Sequence, residues 1–177
     1  MINNGMAKFN FLNLDQNVRS IMLSEINTDI ETDNLYFSDR LNDTGKENYT
    51  NFLIDSVKNS DEEEFEMLLD FATHFNPTSL RQGKIVKTPS NASTILCQSE
   101  FNRYYIRAVC VHAMANDINE VEIYRARESS WSRPGSEAKI GNKISAQDLL
   151  DDLRSSVGVE PKLMPEVNSG LSVKISL

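Results

Sequence analysis

The segment that most constrains the fold starts at Ser90 or Asn91 and continues to about Ala115. Within it Ile95, Phe101, Tyr105, Ala108, Val109, His112 and Ala113 recur at helical spacing and supply most of one wide face. This is the longest helix the sequence predicts, and Asn116-Asp117 ends it. Three helical patterns precede it. Leu14, Val18, Ile21, Met22, Ile26 and Ile30 predict an amphipathic helix over about 14–31, capped by Asn13 or Asp15 and broken at Asp33-Asn34. Thr44 and Glu47 have capping-box spacing and open a helix to about Val57, with Tyr49, Phe52, Leu53 and Val57 on one face. Ser60 and Glu63 form a second such box, opening a helix to about Phe75 with Phe65, Leu68, Leu69 and Ala72 inward; Asn76-Pro77 stops it.

After the long helix the period changes. Val121–Arg127 alternates like a strand, with Val121, Ile123, Arg125 and Arg127 on one face. Ser145 to Asp148 opens a short helix carrying Leu149, Leu150 and Leu153. At the end Leu171, Val173, Ile175 and Leu177 alternate with Ser172, Lys174 and Ser176, the pattern of a half-buried strand. That strand either completes a sheet of its own domain or adds to the sheet edge of a partner through Leu171, Val173 and Ile175. The fold class is therefore α+β: a helical N-terminal half, a long central helix and a small C-terminal β-sheet. Residues 1–12 read as a polar, mobile leader. Residues 13–157 form one α+β domain, with an acidic helical part at 13–76 and a helix-strand-helix part at 90–157. The basic connector 77–90 has one short strand at Lys84–Lys87. Residues 158–177 are an extended linker, marked by Pro161 and Pro165, and the terminal strand.

Charge divides along the same lines. The net charge is −8. Residues 1–79 carry fifteen acids and five bases, residues 80–143 six acids and ten bases. A chain polarised in this way can bind copies of itself head to tail, bind a charged partner, or pack its basic middle against its acidic front. The first eight residues are polar, and no apolar run has signal-peptide or membrane-span length, so the expectation is a cytoplasmic chain with no membrane partner. On one helix Cys97 and Cys110 would lie roughly 20 Å apart, too far for a disulfide, so both read as buried thiols.

Tests for chemistry are negative. His74, His112, Cys97 and Cys110 have no zinc-ligand spacing. The acids at 61–64 belong in the first turn of a helix, where the macrodipole favours them. There is no nucleophile elbow and no glycine-rich phosphate loop. Catalytic residues, metals and cofactors are accordingly expected to be none. What remains is a cluster of arginines and tyrosines. Arg103 and Arg107 are four apart on one helix face, Arg125 and Arg127 share a strand face, and Tyr104, Tyr105, Tyr124, Trp131 and Arg133 lie nearby in sequence. Converging guanidinium groups would grip a carboxylate or phosphate, and the rings would stack on bases. The competing reading is an internal arginine–carboxylate network fastening the acidic half to the basic one. An enzyme would be indicated by a pocket gathering Glu100, Arg103 and Arg125 around a carboxyl of shifted acidity.

Several segments, Asn13-Leu14-Asp15, Leu35-Tyr36-Phe37-Ser38-Asp39-Arg40-Leu41, Glu100-Phe101-Asn102-Arg103-Tyr104-Tyr105-Ile106-Arg107, Tyr124-Arg125-Ala126-Arg127 and Asn168-Ser169-Gly170-Leu171-Ser172-Val173, together resemble a family of small, largely uncharacterised proteins encoded in phage, prophage and bacterial genomes. The resemblance implies a structural or assembly role, as a virion component, and carries no active-site residues. The expected function is thus a non-enzymatic assembly protein acting through contacts with other proteins or with its own copies. The alternative is a nucleic-acid- or phosphate-binding accessory protein that uses the arginine and tyrosine cluster.

Overall fold

The computed structural model describes residues 8–128, 134–158 and 160–176. Seven helices and five strands lie among them, giving an α+β fold built around one long helix. α1 (Gln16–Glu31) starts at Asp15, whose carboxylate accepts the Val18 N–H at 2.8 Å, and ends where Asp33 turns to positive φ. Val18, Met22 and Ile26 are buried on one side of it, as the spacing predicts, whereas Ile30 is exposed. α2 (Asp43–Asn59) buries Tyr49, Leu53 and Val57. Its cap is Asn42 rather than Thr44: the Asn42 side-chain oxygen takes the Gly45 N–H at 2.8 Å, which places Thr44 inside the first turn.

The helix expected over residues 60–75 is two short ones, α3 (Glu62–Leu68) and α4 (Phe71–His74). Asp61 caps the first by accepting from Glu63 and Glu64. Asp70 caps the second by accepting the Thr73 N–H at 2.9 Å. A short acid inside a helical pattern competes for backbone donors, and here it wins. The connector then forms a hairpin, β1 (Thr78–Arg81) and β2 (Lys84–Lys87), of which the sequence predicts the second strand alone. Gln82 and Gly83 both have positive φ, 51° and 76°, the geometry of a two-residue hairpin turn.

α5 (Ala92–Ala115) is the central helix, and every residue from Glu100 to Cys110 is buried. α1, α3 and α7 (Ala146–Ser155) pack around it together with a three-stranded antiparallel sheet. In that sheet β3 (Glu120–Arg125) lies between β4 (Lys143–Ser145) and β5 (Leu171–Lys174), with Ile123 opposite Val173 and Tyr124 opposite Ser172. The predicted strand at 121–127 stops at Arg125, because the next two backbone N–H groups, of Ala126 and Arg127, both turn to the Gly170 carbonyl. A short helix, α6 (Pro134–Glu137), precedes β4. Ser145 caps α7, and Leu149, Leu150 and Leu153 are buried, as the sequence indicates. One apolar core runs from Val18 in α1 to Val173 in β5.

Two terminal expectations change. The described end of the leader is a strap, not a mobile tail. Phe9 is buried, the Asn10 N–H donates to the Ala126 carbonyl at 2.7 Å, and the Tyr124 hydroxyl donates to the Asn10 carbonyl at 2.6 Å. The Asn13 N–H reaches the Tyr105 hydroxyl at 2.9 Å, and Phe11 packs its ring on Tyr105. The described part of the linker, 160–168, also packs: Met164 and Val167 are buried, and the Asp152 carboxylate holds the Lys162 and Leu163 N–H groups.

Candidate functional site

The predicted arginine and tyrosine cluster does not converge on one surface. Arg107 is 1% exposed and lies in the middle of α5. Its Nε and Nη2 donate to Glu25 Oε2 at 2.9 and 2.5 Å, and its Nη1 and Nη2 to the Asp29 carboxylate at 2.6 and 3.1 Å. Glu25 and Asp29 are four residues apart on α1, so their carboxylates stack on one helix face to meet it. Arg154 of α7 closes the other side of Glu25, and the Tyr104 hydroxyl donates to Asp29 Oδ2 at 2.7 Å. Burial raises the Glu25 carboxyl, but the hydrogen bond from Arg154 and the charge of Arg107 outweigh it and hold the group below the usual carboxylate range. The Arg107 guanidinium is raised for the matching reason: burial opposes its charge, and its bonds to Asp29 and Glu25 prevail. Arg107 and Tyr104 therefore fasten three helices and offer no free face to an anion.

The other members serve the fold as well. Arg103 is buried and directs Nη1 to the Leu153 carbonyl and the Ser156 hydroxyl, both at 3.3 Å, at the C-terminal end of α7. Arg127 is buried, bonded to Gln98 and, at 2.6 Å, to the Asn168 carbonyl, with its guanidinium 5.2 Å from the Phe9 ring. Arg125 pairs with Glu137, and Tyr124 holds the strap. Trp131 and Arg133 lie outside the described residues. The edge assigned to a partner's sheet is not open either. Leu171, Ser172 and Val173 are all fully buried in the chain's own sheet, the Asn102 amide of α5 donates to the Leu171 carbonyl, and the Ile175 N–H donates to Asn13.

Groups suited to nucleophilic chemistry are placed as core. Burial pushes the Cys110 thiol up to about 12 and raises Cys97 well above its ordinary value. His112 contacts Asn17, and His74 contacts Asp70. Among the described residues no three histidine, cysteine or acidic side chains gather as a metal site, and no helix is long and apolar enough to cross a membrane.

Two features stand out instead. The first is the β1–β2 hairpin. None of its residues is buried, and Leu80 and Ile85, which pair across the strands, are 68% and 77% exposed. Arg81, Lys84 and Lys87 give it three positive charges, with no acid between Asn76 and Ser99. The second is a cleft of about 310 Å³ between the loop after α1, the first turns of α5 and the linker after α7. Tyr36 and Arg40 come from the first, Leu96, Glu100 and Arg103 from the second, and Asn168 from the third. Gly158, at φ 72°, lies so close under the Tyr36 ring that a Cβ there would approach Cδ2 to 2.8 Å. Glu100 and Arg103 meet in this cleft as the enzyme reading requires, but Arg125 is not among its walls. Sequence reasoning named the basic connector without recognising the projecting ribbon, although Gln82-Gly83 between two alternating runs is a hairpin signal. Comparison with protein-family models, with curated proteins and with solved structures gave no match.

Proposed function

We propose that this is a non-enzymatic assembly protein that links to further copies of itself by laying the β1–β2 hairpin of one copy on the α3 face of the next. The observation that carries the reading is the exposed Leu80–Ile85 pair on a ribbon with no core of its own. A lone two-stranded hairpin is marginal in water, and an apolar pair held out on it gains most from being covered. The complementary surface is on the acidic half. Met67 of α3 is 73% exposed, with Glu63, which also pairs with Lys8 at 3.2 Å, one turn before it on the same side and Glu64 beside it. Cationic and apolar groups on the ribbon thus match acidic and apolar groups on the helix. Such a contact is heterologous, because the two surfaces differ, and it propagates into rings or chains. A phage particle is the setting that the sequence resemblance implies.

Light scattering after size-exclusion chromatography, at low and high salt, tests the proposal. The wild type is expected to associate with rising concentration, less so at high salt. Leu80→Ser/Ile85→Ser and Met67→Ser should each stay monomeric alone, and a mixture of the two should form heterodimers, since one intact ribbon then meets one intact helix face. A monomer at every salt concentration, or association unchanged in the variants, overturns the reading. A monomer that shifts only with duplex DNA would transfer the ribbon to a nucleic-acid role, since two strands fit a major groove.

A further inference from the structure

The cleft between α5 and the two loops holds a group that the fold leaves unused. Glu100 is 4% exposed and lines the cleft, yet its carboxylate accepts no hydrogen bond from a described residue. Among the described residues it is ion-paired with Arg103, whose Nε stands 3.7 Å from Oε1, too far for a hydrogen bond. The Arg103 Nη1 is directed away, to Leu153 and Ser156. An ionised carboxylate has room for about four hydrogen bonds. The contrast with Glu25 is direct: that carboxylate is equally buried and takes bonds from two arginines.

We infer that the cleft binds a small ligand bearing a primary ammonium group, with its nitrogen on the Glu100 carboxylate. An ammonium supplies the three donors that Glu100 lacks. Ile95, Leu96 and Val167 line the cleft, providing apolar wall for methylene groups. The Tyr36 ring also lines it. The volume, about 310 Å³, is at the lower end for a ligand site and selects compact molecules. Two sources share this chemistry: an aliphatic diamine, and an α-amino acid whose carboxylate would turn to Arg40. The site is independent of the assembly contact, because the hairpin and α3 contribute none of its walls.

Isothermal titration of the full chain with 1,4-diaminobutane, glycine and, as the uncharged control, butane-1,4-diol tests the inference. At least one amine should bind with a dissociation constant on the order of 1 mM or tighter, and the diol should not. Glu100→Gln, which keeps the shape and removes the charge, should weaken the amine at least about tenfold while its circular dichroism stays that of the wild type. Arg40→Ala then separates the sources: it weakens glycine if an α-amino acid is the ligand, and leaves the diamine unchanged if a diamine is. Absence of binding by both amines overturns the inference, as does amine binding that is equal in Glu100→Gln or matched by the diol.

Discussion

The charged centre between α1, α5 and α7 and the charged hairpin draw on the same residue types and put them to opposite use. In the centre two arginines meet two carboxylates, every charge is answered, and Arg107 is 1% exposed. On the hairpin three cations stand in solvent beside Leu80 and Ile85, with no acid of their own segment to answer them. Sequence position does not separate the two cases, since arginines four apart on a helix serve a core or a surface equally well. What separates them is whether a neighbouring element brings acids at the same spacing. α1 does so with Glu25 and Asp29, and nothing in the segment 76–99 does so for the ribbon. Disruption in the centre should therefore appear as lost stability, and disruption in the ribbon as lost association.

The largest effect is expected at Arg107. Arg107→Met leaves Glu25 and Asp29 buried with Arg154 as their remaining cation and should cost about 3–5 kcal/mol in urea unfolding. Arg107→Lys should recover part of this, because an ammonium cannot span both carboxylates as the guanidinium does. A loss below about 1 kcal/mol for Arg107→Met would show that the centre does not hold the helices together.

The buried acid Glu62 has no such answer and should respond to pH. Glu62 is 1% exposed; Oε1 accepts the Phe9 N–H at 2.7 Å and Oε2 has no hydrogen bond. Burial, chiefly, raises its carboxyl from 4.5 to about 7, against the lowering effect of backbone hydrogen bonds. Between pH 4.5 and 7 the folded chain therefore holds a proton that the unfolded chain releases, so stability falls as pH rises through that window and levels off above it. At about 1.4 kcal/mol per pH unit the total is at most about 3.5 kcal/mol. Glu25 and Asp61 are shifted the other way, so the measurement is the difference between wild type and Glu62→Gln. The variant should gain on the wild type from pH 4.5 to 7, and a flat difference would remove Glu62 as the cause.

Gly45 reverses an ordinary expectation. In a helix interior, glycine to alanine stabilises by about 1 kcal/mol. Here a Cβ would lie 2.2 Å from the His74 carbonyl oxygen, where α4 crosses the start of α2. Gly45→Ala should instead cost about 1–3 kcal/mol, read by thermal unfolding. A raised midpoint would mean that α4 moves aside freely.

Much of the fold was legible. The spacing of Val18, Met22 and Ile26, the Leu149–Leu153 stripe and the alternation of Leu171 and Val173 each reflect one element packing one face, and local pattern reports that. What escaped the pattern depends on contacts between distant segments. Ser172 reads as the solvent side of a strand, yet it is fully buried, because Asn102 reaches from α5 to accept its hydroxyl. The leader looks polar, and only packing reveals that Phe9 and Phe11 pin it. The arginines were visible as a cluster, and the competing internal network was visible as well. Choosing between them required knowing that α1 lies beside α5.

The ribbon should show the smallest stability effect and the clearest functional one. Leu80 and Ile85 touch no core, so Leu80→Ser/Ile85→Ser should change the unfolding free energy by no more than about 0.5 kcal/mol. Association should nevertheless be lost. Arg81→Glu, Lys84→Glu and Lys87→Glu test the charged part of the same contact, and each should weaken association more at low salt than at high salt, because exposed charges are screened beyond about 10 Å at 0.1 M. If the apolar variant instead destabilises the fold by 2 kcal/mol or more, the pair is holding the chain's own hairpin together, and the contrast between an answered centre and an unanswered arm fails. If stability is unchanged and association is lost, an exposed apolar pair that contributes nothing to its own fold has its use in the contact between copies.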